Sequence, residues 1–269
     1  MWKVYKAFYS LSAAPFSKEM KISEAYASTP HQEALGCLNY MKQVRGMGLL
    51  VGEPGSGKTF ALRAFTESLN KSLYKIVYFP LSTGSVNDFY RGLAFGLGEE
   101  PKSRKVDLFR QIQQAITISY HDRKITPVFI LDEMQMAKDV FLNDLNLLFN
   151  LQMDSYNPFI LLLCGLPYLR DRLKLNHNRP LAQRLLLFHQ MEPLNKDEVK
   201  GYVLHHMTIA GAKHTIFTDT AMEAIAACTR GYPRLINKLG THALLHGYMR
   251  KAEQIDADII RIAAEDNGM

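Results

Sequence analysis

A chain of 269 residues, 47% apolar and 22% charged, suits one large domain or a core with a small appended one, and excludes fibrous and disordered classes. No apolar run approaches the ~20 residues of a bilayer-spanning helix, Met1-Trp2-Lys3-Val4-Tyr5-Lys6 lacks a leader's apolar core, and Cys37, Cys164 and Cys228 lack Cys-x-x-Cys spacing, so a cytoplasmic protein without membrane contact, disulfide framework or zinc site is expected. The net charge of +6 suits plain solubility or a polyanionic partner, nucleic acid being the commonest.

Taken in chain order, Gly46–Val51 reads as a short apolar strand, and Gly52-Glu53-Pro54-Gly55-Ser56-Gly57-Lys58-Thr59 follows it as G-x-x-x-x-G-K-[ST]. Lys58–Asn70 reads as a helix with Phe60, Ala61, Ala64, Phe65 and Leu69 on one face. Lys75–Pro80 reads as a second strand, and Val86–Leu97 and Val106–Tyr120 as helices. Pro127–Leu131 is a third strand, wholly apolar as a parallel sheet requires. Asp139–Met153 is expected as a helix, Phe159–Cys164 as a fourth strand and Leu185–His189 as a fifth. Strands and helices in alternation predict an α/β fold with a covered parallel sheet. After Pro193 only helical signals remain, over Asn195–Gly211, Thr218–Thr229, Leu235–Met249 and Asp256–Glu265.

The glycine-rich loop carries a specific chemistry. Its backbone N–H groups cradle phosphates, helped by the positive end of the following helix. Gly52, Pro54, Gly55, Ser56, Gly57, Lys58, Thr59 and Phe60 are therefore the expected ATP-binding residues. Lys58 reaches the β- and γ-phosphates, and the Thr59 hydroxyl ligates Mg²⁺. Val128–Leu131 runs into Asp132-Glu133. Two carboxylates ending a buried strand are either solvated or functional. With a phosphate loop upstream they read as a Mg²⁺ ligand, Asp132, and a base for the attacking water, Glu133. Arg184 and Arg179 precede the fifth strand, and Arg234 opens a helix in Gly231-Tyr232-Pro233-Arg234. A lone arginine is usually a surface residue or an ion-pair partner, yet a guanidinium also neutralises charge on a transferred phosphoryl group.

Together these residues resemble the AAA+ ATPases, most of all the ExeA (general secretion pathway protein A-like) branch. The resemblance covers nearly the whole chain. Phe8-Tyr9, Pro15-Phe16 and His31-Gln32-Glu33-Ala34-Leu35 look like the branch's linker near the adenine. Asp132-Glu133-Met134-Gln135 looks like its D-E-A-Q, with Met134 for Ala. Cys164-Gly165-Leu166-Pro167-Tyr168-Leu169 looks like its G-Q-P-x-L segment. Ala210-Gly211 with Phe217-Thr218, and Gly231-Tyr232-Pro233-Arg234-Leu235-Ile236-Asn237, match two more of its segments.

The resemblance implies a P-loop AAA+ core at 46–193, a linker at 1–45 and an all-helical lid at 194–269. It implies Arg234 as the sensor 2 arginine, and Arg184, with Arg179 as runner-up, as the finger reaching a neighbouring subunit. Leu166 is apolar where the branch has a polar residue, which implies slow hydrolysis, reliance on Gln135, or dependence on a partner.

Within the branch, the secretion type adds a transmembrane segment and a cell-wall-binding domain, and neither is expected in these 269 residues. The chain instead looks like the transposition regulators of the Tn7, Mu and IS21 types. These assemble with ATP on duplex DNA as rings or filaments, recruit or stimulate a transposase, and come apart on hydrolysis. Lys102-Ser103-Arg104-Lys105 at one helix start, and Thr83 and Ser85 at another, offer the cations and hydroxyls that sequence-tolerant phosphate contact uses. The alternatives are a soluble helper ATPase of secretion or envelope assembly, and a nucleotide-gated switch that binds protein.

Overall fold

The computed structural model describes residues 2–17, 20–80 and 85–269. Five strands, β1 (Gly46–Gly52), β2 (Tyr74–Pro80), β3 (Thr126–Asp132), β4 (Ile160–Gly165) and β5 (Leu185–Met191), form one sheet in the order β2-β3-β4-β1-β5. The pairings are all parallel. Parallel neighbours need crossovers, and helices supply them. α3 (Lys58–Ser68) follows β1, while α4 (Val86–Gly96) and α5 (Lys105–His121) link β2 to β3. α6 (Asp139–Leu148) links β3 to β4, and α7 (Tyr168–Leu173) with α8 (Arg179–Gln183) links β4 to β5. The expected α/β fold with a five-stranded parallel sheet is the one observed.

Strand alternation divides the core in two. Met47, Leu49, Phe129, Leu131, Leu161 and Leu163 face one cluster with residues of α4, α5 and α6. Leu50, Val128, Ile130, Ile160 and Leu162 face the other, with Leu62 and Phe65 of α3. Ala34, Leu38 and Met41 of α2 (Thr29–Val44), a helix inside the stretch read as linker, complete that second cluster. Every residue of β1 and β4 is buried, as strands covered on both faces must be.

One expected element is shorter than its sequence suggested. The helix read over Asp139–Met153 stops at Leu148. Leu148, Phe149 and Leu151 are all buried, so the apolar run continues past the helix end. Gln152 and Met153 then take φ of 48° and 54°, which no α-helix tolerates.

The chain divides into two compact units, of which residues 33–54 and 58–191 make the one just described. Residues 1–32, 55–57 and 192–269 make the other. It holds α1 (Trp2–Phe8), α9 (Lys196–Ile209), α10 (Asp219–Thr229), α11 (Pro233–Met249) and α12 (Ala257–Glu265). Its helix starts are encoded locally. The Asn195 side chain accepts the Glu198 N–H at 2.9 Å while the Glu198 carboxylate accepts the Asn195 N–H at 3.1 Å, a reciprocal capping box. Thr218 and Asp256 cap α10 and α12 in the same sense. Pro233 fits the first turn of α11, where a missing N–H costs nothing.

The N-terminal segment enters this unit's core. Tyr5, Tyr9, Leu11 and Phe16 are buried with Val203, Ile236, Leu244 and Ile260. The Tyr9 hydroxyl donates to Ala252 O at 3.0 Å, and His206 Nδ1 lies 2.6 Å from Pro15 O. Burial lowers the His206 pKa, so it acts as a neutral anchor for the segment.

Gly231 sits at φ 78°, and a Cβ there would stand 2.0 Å from Leu194 O. The Leu194 N–H donates to Gly231 O at 3.0 Å, so the two backbones are locked together. Gly231→Ala is expected to cost about 2–4 kcal/mol, combining left-handed strain with overpacking. Denaturant unfolding checks this, and a variant as stable as the parent would refute it.

Candidate nucleotide site

In an all-parallel sheet the strands end at the same edge, where ligands of open α/β folds bind. β1 ends there in the glycine-rich loop, β3 in Asp132-Glu133 and β4 in Gly165-Leu166. Gly55 and Gly57 have φ of 84° and 102°, which lets successive amides turn to one side. The Lys58 ammonium donates to Gly52 O at 2.7 Å and Glu53 O at 3.1 Å, folding back over its own loop. Ser56 is buried and its Oγ has no hydrogen-bond partner among the described residues. A buried orphan hydroxyl is costly unless a ligand answers it. Turned amides, an ammonium and an unanswered hydroxyl suit a polyphosphate. Gly52 is buried, Phe60 half-buried, and Pro54 and Thr59 exposed.

Asp132 is buried at 4% exposure, yet both of its oxygens are placed. Oδ1 accepts the Glu133 N–H at 2.9 Å, and Oδ2 accepts the Tyr78 hydroxyl at 3.2 Å. Burial, then the Asp132 charge, pushes the Tyr78 phenol up to about 12, so it stays a donor. Burial also raises the Cys164 thiol well above its usual range; the Asp132 carboxylate adds to this and the Lys58 ammonium opposes it. Both charges therefore act on the end of β4. Thr59 and Asp132 are the residues that would hold Mg²⁺.

Glu133 is exposed, with φ 58° and ψ 33° in the left-handed region. The Gln135 side chain donates Nε2–H to Glu133 Oε2, and its Oε1 accepts the Leu166 N–H at 3.2 Å. Met134, in the place of the branch's alanine, is fully buried in the core.

The arginines differ in what they touch. Within the helical unit, the Arg234 N–H donates to Gly55 O at 3.3 Å, and a Cβ on Gly55 would stand 2.7 Å from Arg234 Cβ. Only glycine admits that approach, and the Arg234 side chain is exposed. Arg184 donates Nη1–H to Asn146 O at 2.7 Å and Nη2–H to Phe149 O at 2.8 Å. It thus satisfies carbonyls at the end of α6, a structural task that a finger reaching outward would have to abandon. Arg179, at the start of α8, is exposed.

Of the residues expected to meet DNA, Thr83 lies outside the described residues. Ser85 is the N-cap of α4: its Oγ accepts the Asp88 N–H at 3.2 Å and donates to the Asp88 carboxylate at 2.7 Å. The Lys105 ammonium is 2.8 Å from Asp144 and 5.7 Å from the centre of the Tyr90 ring. Both residues are exposed, and each already has a partner within the fold. Lys102, Ser103 and Arg104 are exposed.

Two contributors escape sequence reasoning. Tyr78 reads as one aromatic in an alternating strand, and nothing local says that β2 lies beside β3. Arg172 donates to Gln135 O at 3.2 Å and pairs with Asp139 at 2.7 Å, across a gap that no spacing rule covers.

Comparison with known proteins agrees with this geometry. An AAA domain is matched over residues 41–173. Over 264 residues the chain is 31% identical to general secretion pathway protein A of Aeromonas hydrophila, a match covering 97% of this chain and 48% of that protein. The chain thus spans about half the length of this curated relative.

Among solved structures, Cdc6p of Pyrobaculum aerophilum aligns with TM-score 0.71 at 16% identity, over 94% of this chain and 70% of that one. ORC1 of Aeropyrum pernix, solved in complex with DNA, aligns at 0.64 and 12% identity, over 94% and 68%. The RuvB Holliday junction branch migration motor of Thermotoga maritima aligns at 0.59 and 19%, over 88% and 68%. Likeness at such identities speaks for the fold alone. Sheet order, phosphate loop and strand-end carboxylates, with the AAA domain matched over residues 41–173, give this chain a P-loop AAA+ core similar to that of general secretion pathway protein A.

Proposed function

We propose that this protein binds ATP·Mg²⁺ and hydrolyses the γ-phosphate, and that it uses the cycle to assemble on duplex DNA and direct a partner transposase. The observation that carries the ATPase reading is the juxtaposition, at one edge of one parallel sheet, of the phosphate loop and Asp132-Glu133. Bound Mg²⁺ would neutralise charge on the β- and γ-phosphates, held by Thr59 and Asp132. Loop amides and Lys58 grip the phosphates, and Glu133 orients the attacking water. Arg234 serves as sensor 2. A neighbouring subunit completes the site with an arginine. Exposed Arg179 is free for that task as it stands, whereas Arg184 must first leave its carbonyls.

The DNA reading rests on the net charge of +6 and on exposed Lys102, Ser103 and Arg104 ahead of α5. These side chains suit phosphate contacts, which position a protein without reading base sequence. No helix among the described residues is long and apolar enough to cross a membrane.

A second reading, a helper ATPase of secretion or envelope assembly, is favoured by the 31% identity to general secretion pathway protein A. That match covers 48% of the relative, so what the relative does as a whole is not carried over with the shared half.

ATP turnover and electron microscopy, each with and without duplex DNA, separate the readings. DNA-stimulated turnover and ATP-dependent rings or filaments on DNA support the first. Turnover and assemblies indifferent to DNA favour the second. Replacing Lys102 and Arg104 together with Ala is expected to flatten the log–log salt dependence of DNA binding by about one unit per lost phosphate contact. An unchanged slope would move the DNA surface elsewhere.

A further inference from the structure

We infer that Gln135 is a positioning residue for Glu133, fixing its carboxylate to the end of β4; this rests on the reading that Glu133 orients the attacking water. Glu133 is exposed, and an exposed glutamate has much rotamer freedom to lose before it can hold a water in line. One amide restrains it here. Gln135 Nε2 donates to Glu133 Oε2, and Gln135 Oε1 accepts the Leu166 N–H at 3.2 Å. The Leu166 N–H fixes which end of the amide faces the carboxylate. A flipped amide would set its NH₂ against that N–H and its oxygen against the carboxylate, losing both bonds.

The anchor is itself held. Gln135 O accepts the Tyr168 hydroxyl at 3.3 Å and Arg172 Nη1–H at 3.2 Å. Arg172 is fixed in turn by Asp139 at 2.7 Å, which also accepts from Asn178 Nδ2 at 3.1 Å. Hydrogen bonds from Arg172 and Asn178 hold the Asp139 carboxyl down at about 2, so it remains a charged partner at any physiological pH. Leu166 contributes only its backbone N–H to this arrangement, and the polar side chain that reaches the carboxylate comes from Gln135.

The test compares the full chain with Glu133→Gln, Gln135→Met and Gln135→Glu by steady-state ATP turnover, nucleotide titration and thermal melting. Gln135→Met keeps the volume and makes neither amide bond. It is expected to lower kcat ~10- to 100-fold, with KM and nucleotide affinity held within about twofold and the melting midpoint kept. Gln135→Glu keeps an acceptor for Leu166 and sets carboxylate against carboxylate, so kcat should fall at least as far. Should Gln135→Met melt early, Gln135→Glu decides. Unchanged kcat in the decisive variant, or parallel loss of kcat and affinity, overturns the inference. If Glu133→Gln itself turns over normally, the reading of Glu133 is what fails.

Discussion

Glu133→Gln is expected to reduce ATP hydrolysis by ~10²- to 10⁴-fold while nucleotide binding persists, the range that a positioned general base contributes. The substitution preserves shape and length. Its amide still offers an oxygen to Gln135 Nε2, and the Glu133 main chain, whose N–H is held by Asp132 Oδ1 at 2.9 Å, is undisturbed. What disappears is the negative charge proposed to draw a proton from the attacking water. Asp132, Thr59 and Lys58 are untouched, so the groups proposed to hold metal and phosphate stay. The variant should therefore accumulate in the ATP-bound state, with assemblies that outlast those of the parent. Single-turnover hydrolysis beside equilibrium nucleotide titration checks this. Turnover at the parent rate would remove Glu133 from the mechanism.

Lys58→Ala is expected to weaken ATP binding by about 10- to 100-fold, the equivalent of one charge-assisted hydrogen bond of ~1.5–3 kcal/mol. The Lys58 ammonium donates to Gly52 O and Glu53 O, at the mouth of the loop whose amides would take the phosphates. Its loss removes one donor from the buried Gly52 O and one from the exposed Glu53 O, so the fold should survive with a modestly lower thermal midpoint. The triphosphate then lacks its main fixed countercharge from the protein. Titration with a fluorescent nucleotide reads the effect directly. Equal affinity for parent and variant would mean that the loop amides and the metal site suffice. The two variants differ in kind: one binds without hydrolysing, the other fails to bind. Together they separate the loop's work from that of the strand end.

The amino-acid sequence by itself determined what depends on near neighbours. The glycine loop is legible because its chemistry lies in eight consecutive residues, and β1, β3 and β4 because strands covered on both faces must be apolar throughout. The starts of α9, α10 and α12 are legible because capping residues bond three positions ahead. The end of α6 was not, because buried Phe149 and Leu151 carry the apolar pattern past the last helical turn. Nor was α2 taken from its stretch, although Ala34, Leu38 and Met41 keep helical spacing there.

Tertiary structure alone decided the partnerships between distant residues. Strand order set β2 beside β3, and so gave Asp132 the hydroxyl of Tyr78, 54 positions away. It brought Leu166 to Gln135, 31 positions on, and turned Arg184 onto carbonyls of Asn146 and Phe149. In the helical unit, core packing seated Tyr9 against Ala252, across 243 positions. The reason is physical: hydrogen bonds within a turn or a cap are fixed by local backbone geometry, whereas partners across strands depend on register and on which surfaces the core requires to be buried.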